Sequence, residues 1–366
     1  MRDPALVAEN LGNVWEFAVE PTYQSPDEAW RQLSKTIEDY QVALFLGAGV
    51  STVNRMPSWR SFIQTLGGWT SDQMEVFEKS GMSLISLCEI AKRGVGSTIW
   101  SERVRTALYG DFLQQVEQKS KDIVDLSRSD FSSRDESSRR RVSQFFRETN
   151  PVLWDVVSAC GRLDKANRHR KRENIGAFLT TNIDCLPQLC DRAAHTSRMI
   201  RTVERAATEL DVDKIPIYQL HGYLLPPDAR TGMRGEASDG LVLTESEYLA
   251  RTDGHYAWAN VTLHFAAREM PIIFIGCSMT DDLIRRALLR SCRERMESYA
   301  AARPPEAAKE YKFRRHFAVM HLHADEAVNR MRNVGAGMLG VWPLWVSDFH
   351  TDLAKRIGMV MRPDSG

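Results

Sequence analysis

The chain has 366 residues, 43% hydrophobic and 26% charged, and its 48 basic side chains are matched by 48 acidic ones. That is the mix of an ordinary globular protein, long enough for about two domains at ~150 residues each, and the zero balance excludes the overall positive field of a dedicated nucleic-acid binder. The longest apolar stretch, around Pro271–Met279, falls far short of the ~20 residues that span a bilayer, and MRDPALVAEN places charges where a signal peptide has its apolar core, so a cytoplasmic location with no membrane contact is expected.

Six cysteines (Cys88, Cys160, Cys185, Cys190, Cys277, Cys292) in a chain this long do not make a disulfide scaffold. No CxxC pair occurs, and the closest two, Cys185 and Cys190, are five apart, which argues against a structural zinc ribbon.

Residues 1–36 read as a helical lead-in, with Ala29, Leu33 and Ile37 at helical spacing. Val42–Leu46 is then a continuous apolar run ending in glycine, the pattern of a buried parallel strand. The pattern returns at Ile175–Leu179, Ile215–Leu220, Ile272–Ile275, Phe317–Leu322 and Val341–Val346. Helical or mixed segments separate these runs, so the predicted fold class is α/β: a doubly wound, mostly parallel Rossmann-like sheet. Between the first two strands lie only helical candidates: Asp72–Lys79, Ser83–Arg93, Ile99–Leu108, Asp111–Val124, Val142–Phe146 and Leu153–Leu163. The expected organisation is a sheet domain built from 37–70 and 174–366, interrupted by a helical subdomain at 71–173. Arg128–Glu148, rich in serine and mixed charge, reads as a loop. Arg162–Glu173 holds six basic and two acidic residues, a solvated face or a contact for an acidic partner, and 301–315 reads as a connector.

Four motifs stand at predicted strand ends, where an open α/β sheet gathers its ligand. Gly47-Ala48-Gly49-Val50-Ser51 follows the first strand; its glycines permit a tight turn and close approach to a pyrophosphate, or mark an ordinary strand-to-helix turn. Thr52 stands at the third glycine position of the dehydrogenase fingerprint and no acid follows ~20 residues later, which disfavours hydride transfer. Thr180-Thr181-Asn182-Ile183-Asp184 offers an amide and a carboxylate, as ligand contacts or helix caps. His221-Gly222 is a base near neutrality or a structural histidine. Gly276-Cys277-Ser278 closes the set, with Ser278 and Asp281 at capping-box spacing; Thr244 and Glu247 share that spacing and are read as a cap. His321 and His323 alternate on one strand face, for which core or surface roles outweigh metal binding.

In their order, GAGVS, TTNID, HG and FIGCS resemble the sirtuin family, whose usual forms of the first motifs are GAGIS, IPDFR and TQNID. Met56-Pro57-Ser58-Trp59-Arg60 stands where IPDFR would, matching at Pro57 and Arg60, and Thr181 replaces glutamine. The resemblance covers roughly 36–65 and 174–350. The family's deacylases carry a zinc module with two CxxC pairs, which this chain lacks, so it looks like the zinc-free NAD glycohydrolases of bacterial anti-phage defence.

The resemblance implies NAD as substrate, no zinc, and roles residue by residue. Asn182 would hold the ribose and the attacking water. Asp184, with Ile183 and the neighbouring Thr181, would meet the nicotinamide carboxamide side. His221 would act as, or orient, the general base. Gly47, Ala48, Gly49 and Ser51 would cradle the phosphates, Trp59 and Arg60 would cover the nicotinamide, and Gly276 and Ser278 would contact the adenosine half. It further implies a homo-oligomer working with a separate sensor, a HerA-like ATPase ahead of a short Argonaute, without direct sequence-specific nucleic-acid binding. An NAD-dependent protein deacylase and a non-catalytic nucleotide-binding module are the alternatives.

Overall fold

The computed structural model describes residues 26–116, 121–123, 136–166, 175–195, 199–205, 213–226, 241–252, 257–302 and 314–361. Seven parallel strands form one sheet in the order β3-β4-β2-β1-β5-β6-β7. They are β1 (Val42–Leu46), β2 (Ile175–Thr180), β3 (Ile200–Val203), β4 (Ile215–Gln219), β5 (Ile272–Ile275), β6 (His316–His321) and β7 (Val341–Val346). This is the doubly wound α/β class expected. The central strands are buried on both faces, which is why β1 reads VALFL without alternation.

Odd and even positions of those strands feed two different cores. Val42, Leu44 and Leu46 of β1, with Ile273 and Ile275 of β5, pack against α1 (Pro26–Asp39) and the helices of the β1–β2 crossover. Ala43, Phe45, Ile272 and Phe274 face the opposite layer instead. Within the crossover run α2 (Ala48–Thr52), α3 (Trp59–Gly67), α4 (Ser71–Lys79), α5 (Leu84–Val95), α6 (Ser97–Gln115), α7 (Glu136–Thr149) and α8 (Pro151–Ala166). Their buried side chains belong to the same continuous core as that face of the sheet. After β2 come α9 (Leu186–Ala194), α10 (Glu245–Thr252), α11 (Trp258–Glu269), α12 (Asp282–Ala302), α13 (Glu326–Met338) and α14 (Asp352–Met361), with α11, α12 and α13 on the second face.

Three elements differ from the sequence reading. The helix expected to break at Gly110 runs through it, because Trp100, Val104, Leu108, Phe112 and Val116 form one buried i, i+4 stripe. Burying that stripe outweighs the ~1 kcal/mol that glycine costs in a helix. The helix expected at Val142–Phe146 spans Glu136–Thr149 and so takes up much of the segment read as a loop: Val142, Phe145 and Phe146 are buried, and Arg141 and Ser138 bond the Asp122 carboxylate. β3 was not anticipated; this four-residue edge strand is held by the Asp191 carboxylate, which accepts from the amides of Met199 and Ile200 at 3.2 Å. Residues 1–25 of the lead-in, 128–135 of the expected loop, 167–173 of the basic segment and 303–313 of the connector lie outside the described residues. No helix among the described residues is long and apolar enough to cross a membrane.

Candidate active site

β1 sits between β2 and β5, and the chain leaves it first to one side and later to the other. At such a switch point the loops at the carboxyl ends of adjacent strands diverge and leave a crevice. Here the crevice is a cavity of about 610 Å³, within the range of small-molecule sites.

Two loops form its floor by unusually close approach. Gly47 N–H donates to the Ile275 carbonyl (2.8 Å) and Gly49 N–H to the Gly276 carbonyl (2.9 Å), so the β1 and β5 loops zip together beyond the strands. A Cβ on Gly47 would lie 2.5 Å from Cys277 Sγ, and one on Gly276 2.6 Å from the Val50 amide nitrogen. Gly276 also sits at φ +70°. The glycines at 47 and 49 thus serve loop-to-loop contact, at ordinary negative φ for Gly47 (−91°). Gly276→Ala is expected to cost more than the ~1–2 kcal/mol of a left-handed alanine alone, since backbone must also shift; chemical denaturation of the variant measures this.

A second residue holding this floor was not visible in the sequence. Asn150, buried at the α7–α8 junction, donates from Nδ2 to the Val50 carbonyl (2.8 Å) and to Asn54 Oδ1 (2.6 Å). Its Oδ1 accepts from the Leu153 amide (3.1 Å), capping α8. Asn150-Pro151 reads as a helix start, but nothing local reveals the contact with a loop one hundred residues away. Asn150→Ala is expected to lower stability by ~1–3 kcal/mol through orphaned buried partners, with a lower unfolding temperature as the readout. Tyr109 plays the same part for the TTNID loop: its hydroxyl donates to the Leu224 carbonyl (2.5 Å) and accepts from the Cys185 amide (3.0 Å).

The chemistry-bearing side chains converge above this floor. Thr180 ends β2 by donating to the Leu46 carbonyl (2.7 Å) and accepting the Asn182 amide (2.9 Å), which fixes the turn that presents Asn182. Asn182 Nδ2 donates to Ser51 Oγ (3.2 Å), and Ser51 stands close enough to the buried Asp184 carboxylate to favour its charged form. An amide and a hydroxyl from two motifs 131 residues apart are thus joined beside a buried carboxylate, leaving the amide oxygen of Asn182 as the acceptor for a ligand hydroxyl or water. Asp184 is 4% exposed, and burial raises its pKa against the opposing bonds from the Leu186 amide and Ser51. His221 follows β4, its carbonyl accepting from Val242 (3.0 Å). Its ring meets Tyr248 edge-on at 5.9 Å and 79°. Burial, reinforced by Asp281 and Asp282, pushes the Tyr248 hydroxyl to about 12, and the Leu283 backbone bonds it.

Of the thirteen residues singled out in the sequence, the cavity brings together twelve: Asn182, His221, Asp184, Gly47, Ala48, Gly49, Ser51, Trp59, Thr181, Ile183, Gly276 and Ser278. Arg60 is the exception. It does not line the cavity but pairs with Glu78 at 2.6 Å on the outer surface, so the expected cover over a nicotinamide rests on Trp59, stacked on Phe62 at 5.5 Å. Among the described residues the lining contains no lysine or arginine, and its carboxylates are Asp184 and Asp281. Tyr248, Val242 and Leu243 line the cavity too, from a segment whose cap (Thr244 with Glu247) was read but whose place was not. Ser278 bonds Thr280, and Asp281 rather than Ser278 caps α12 by accepting from Leu283 and Ile284. His321 ends β6 and His323 follows it, both exposed, and no group of three or more His, Cys, Asp or Glu among the described residues is arranged to hold a metal ion.

Comparison with known families decides between an unassigned crevice and a recognised one. Residues 176–324 match the family model described as SIR2-like domain. The match opens inside β2 and closes just after β6, so the SIR2-like segment includes Asn182, Asp184, His221, Gly276 and Ser278 but leaves the Gly47–Ser51 loop and Trp59 outside. SIR2-like domains bind NAD, and the match suggests an NAD-related activity. A search of curated proteins found no match.

Proposed function

We propose that the cavity binds NAD+ and hydrolyses the bond between nicotinamide and ribose, giving nicotinamide and ADP-ribose. The observation that carries this reading is the single cavity shared by Asn182, Asp184, His221 and the Gly47–Ser51 loop at the switch point of the sheet. Heterolysis sends the glycosidic electron pair to nicotinamide and leaves an oxocarbenium-like ribose, as in glycoside hydrolysis. Water adds to that carbon, and its proton passes to His221 or through it to solvent. Asn182, held by Ser51, is suited to accept from the attacking water or a ribose hydroxyl. Asp184, whose carboxylate accepts from the Leu186 amide (3.0 Å), suits the carboxamide. The amides of Gly47 and Gly49 are engaged within the loops, so these glycines would help bind pyrophosphate by letting backbone approach closely.

In this reading the chain is an NAD-depleting effector of a bacterial anti-phage system, working as a homo-oligomer under a separate HerA-like ATPase, with a short Argonaute as the second candidate. The test is incubation of the full chain with NAD+, alone and with candidate partners, followed by product identification. Equimolar nicotinamide and ADP-ribose is the expected result. O-acyl-ADP-ribose formed only with an acylated peptide would replace it with deacylation, and tight NAD+ binding without turnover in any mixture would replace it with a regulatory module. For the cellular role, infection of cells bearing the system is expected to deplete NAD+, and cells bearing an Asn182→Ala chain are not.

A further inference from the structure

Val242, Leu243 and Tyr248 line the cavity, and this segment is fastened from outside it. Ser86, Glu89 and Lys92 stand three residues apart on one face of α5. They meet the three consecutive residues that open α10: Ser86 Oγ donates to Glu245 Oε2 (2.8 Å), Ser246 Oγ to Glu89 Oε2 (2.7 Å), and Lys92 Nζ to Glu247 Oε1 (2.5 Å). The other Glu247 oxygen accepts from the amides of Leu243 and Thr244 (2.9 and 3.0 Å), so one carboxylate both starts the helix and anchors it to α5. The bond from Ser246, aided by Arg93, holds the Glu89 carboxyl down at about 2, and the Lys92 ammonium with the two amides overcomes burial to keep Glu247 below the usual range. Both acids are therefore charged at neutral pH, the state in which these contacts are strongest.

Directly after Glu247 on α10, Tyr248 sets its ring against the His221 imidazole. Val242, on the same segment, ties the His221 backbone. Backbone and ring of the histidine are thus both held by a segment whose own placement depends on α5. We propose that Tyr248 is a positioning residue for His221, and that the Ser86–Glu89–Lys92 row of α5 sets its position, so that the crossover helices control the geometry of the histidine. The catalytic part of this rests on the NAD+ hydrolase reading; the positional part does not. An edge-on aromatic neighbour restricts the swing of an imidazole, and a displacement of about 1 Å in a reacting group can cost ~10²-fold in rate.

Lys92 does not line the cavity, which makes Lys92→Met the decisive variant. In the full chain with labelled histidine, the His221 ring-proton resonance carries the ring-current signature of Tyr248. Lys92→Met is expected to shift it while unfolding stays cooperative, and to lower kcat for NAD+ about 3–10-fold. Tyr248→Leu is expected to lower kcat at least ~10-fold with KM changed less than ~3-fold, and Tyr248→Phe, which keeps the ring, to recover turnover to within ~3-fold of the parent. An unmoved His221 resonance in Lys92→Met overturns the proposal, as does a Tyr248→Phe loss equal to that of Tyr248→Leu. A parent chain that binds but never cleaves NAD+ would instead sink the hydrolase reading, and the resonance would still decide whether α5 positions His221.

Discussion

Asn182→Ala is expected to reduce NAD+ cleavage by at least ~10²–10³-fold, the scale for losing a preorganised polar group at a developing charge. Asn182 contributes little to the core: it is partly exposed, and among the described residues its side chain makes one hydrogen bond, the 3.2 Å donation to Ser51. Losing that bond costs about 1 kcal/mol, so the unfolding temperature should fall by only a few degrees. The informative pair of measurements is therefore nicotinamide release and thermal unfolding on the same preparation. Activity near the parent level in a folded variant would remove Asn182 from the mechanism.

The second large effect is expected at His221. His221→Ala should lower kcat by ~10² or more, the usual range for removing a general acid–base group. The strand end around it should persist, because Leu220 N–H bonds the Thr180 carbonyl and Leu224 N–H the Ile183 carbonyl independently of the imidazole. Measuring kcat and KM separately assigns the role: a fall in kcat with KM little changed means the ring acts at the reacting centre, whereas a rise in KM alone means it only holds substrate. Parent-level turnover surviving in both Asn182→Ala and His221→Ala would leave the hydrolase without a mechanism in this cavity.

Both residues stood out in the sequence for the same reason: each follows an apolar run that had to be a buried strand, and in a parallel sheet the carboxyl ends of such strands face one crevice. Six of the seven strands were readable in that way, with boundaries within a residue or so. β3 was not, because Ile200-Arg201-Thr202-Val203 is short and half polar, and its pairing depends on the Asp191 carboxylate from another element. Arg60 was misassigned because the helix register that follows a proline motif fixes only which turn a side chain occupies. Whether that turn faces the cavity or Glu78 is decided by how α3 packs against its neighbours.

Periodicity and motif order alone were enough for the α/β class, the parallel strands and the cluster of polar residues at their ends, because these follow from local burial patterns and the fixed handedness of strand–helix–strand units. Folding in three dimensions supplied the rest. It made Gly47, Gly49 and Gly276 a contact between loops, gave Asn150 and Tyr109 supporting roles at distances of about a hundred residues, and set Tyr248 against His221 through α5. Such contacts join elements far apart in the chain, and no periodic signal encodes them, since each depends on where separately determined surfaces meet once the core has closed.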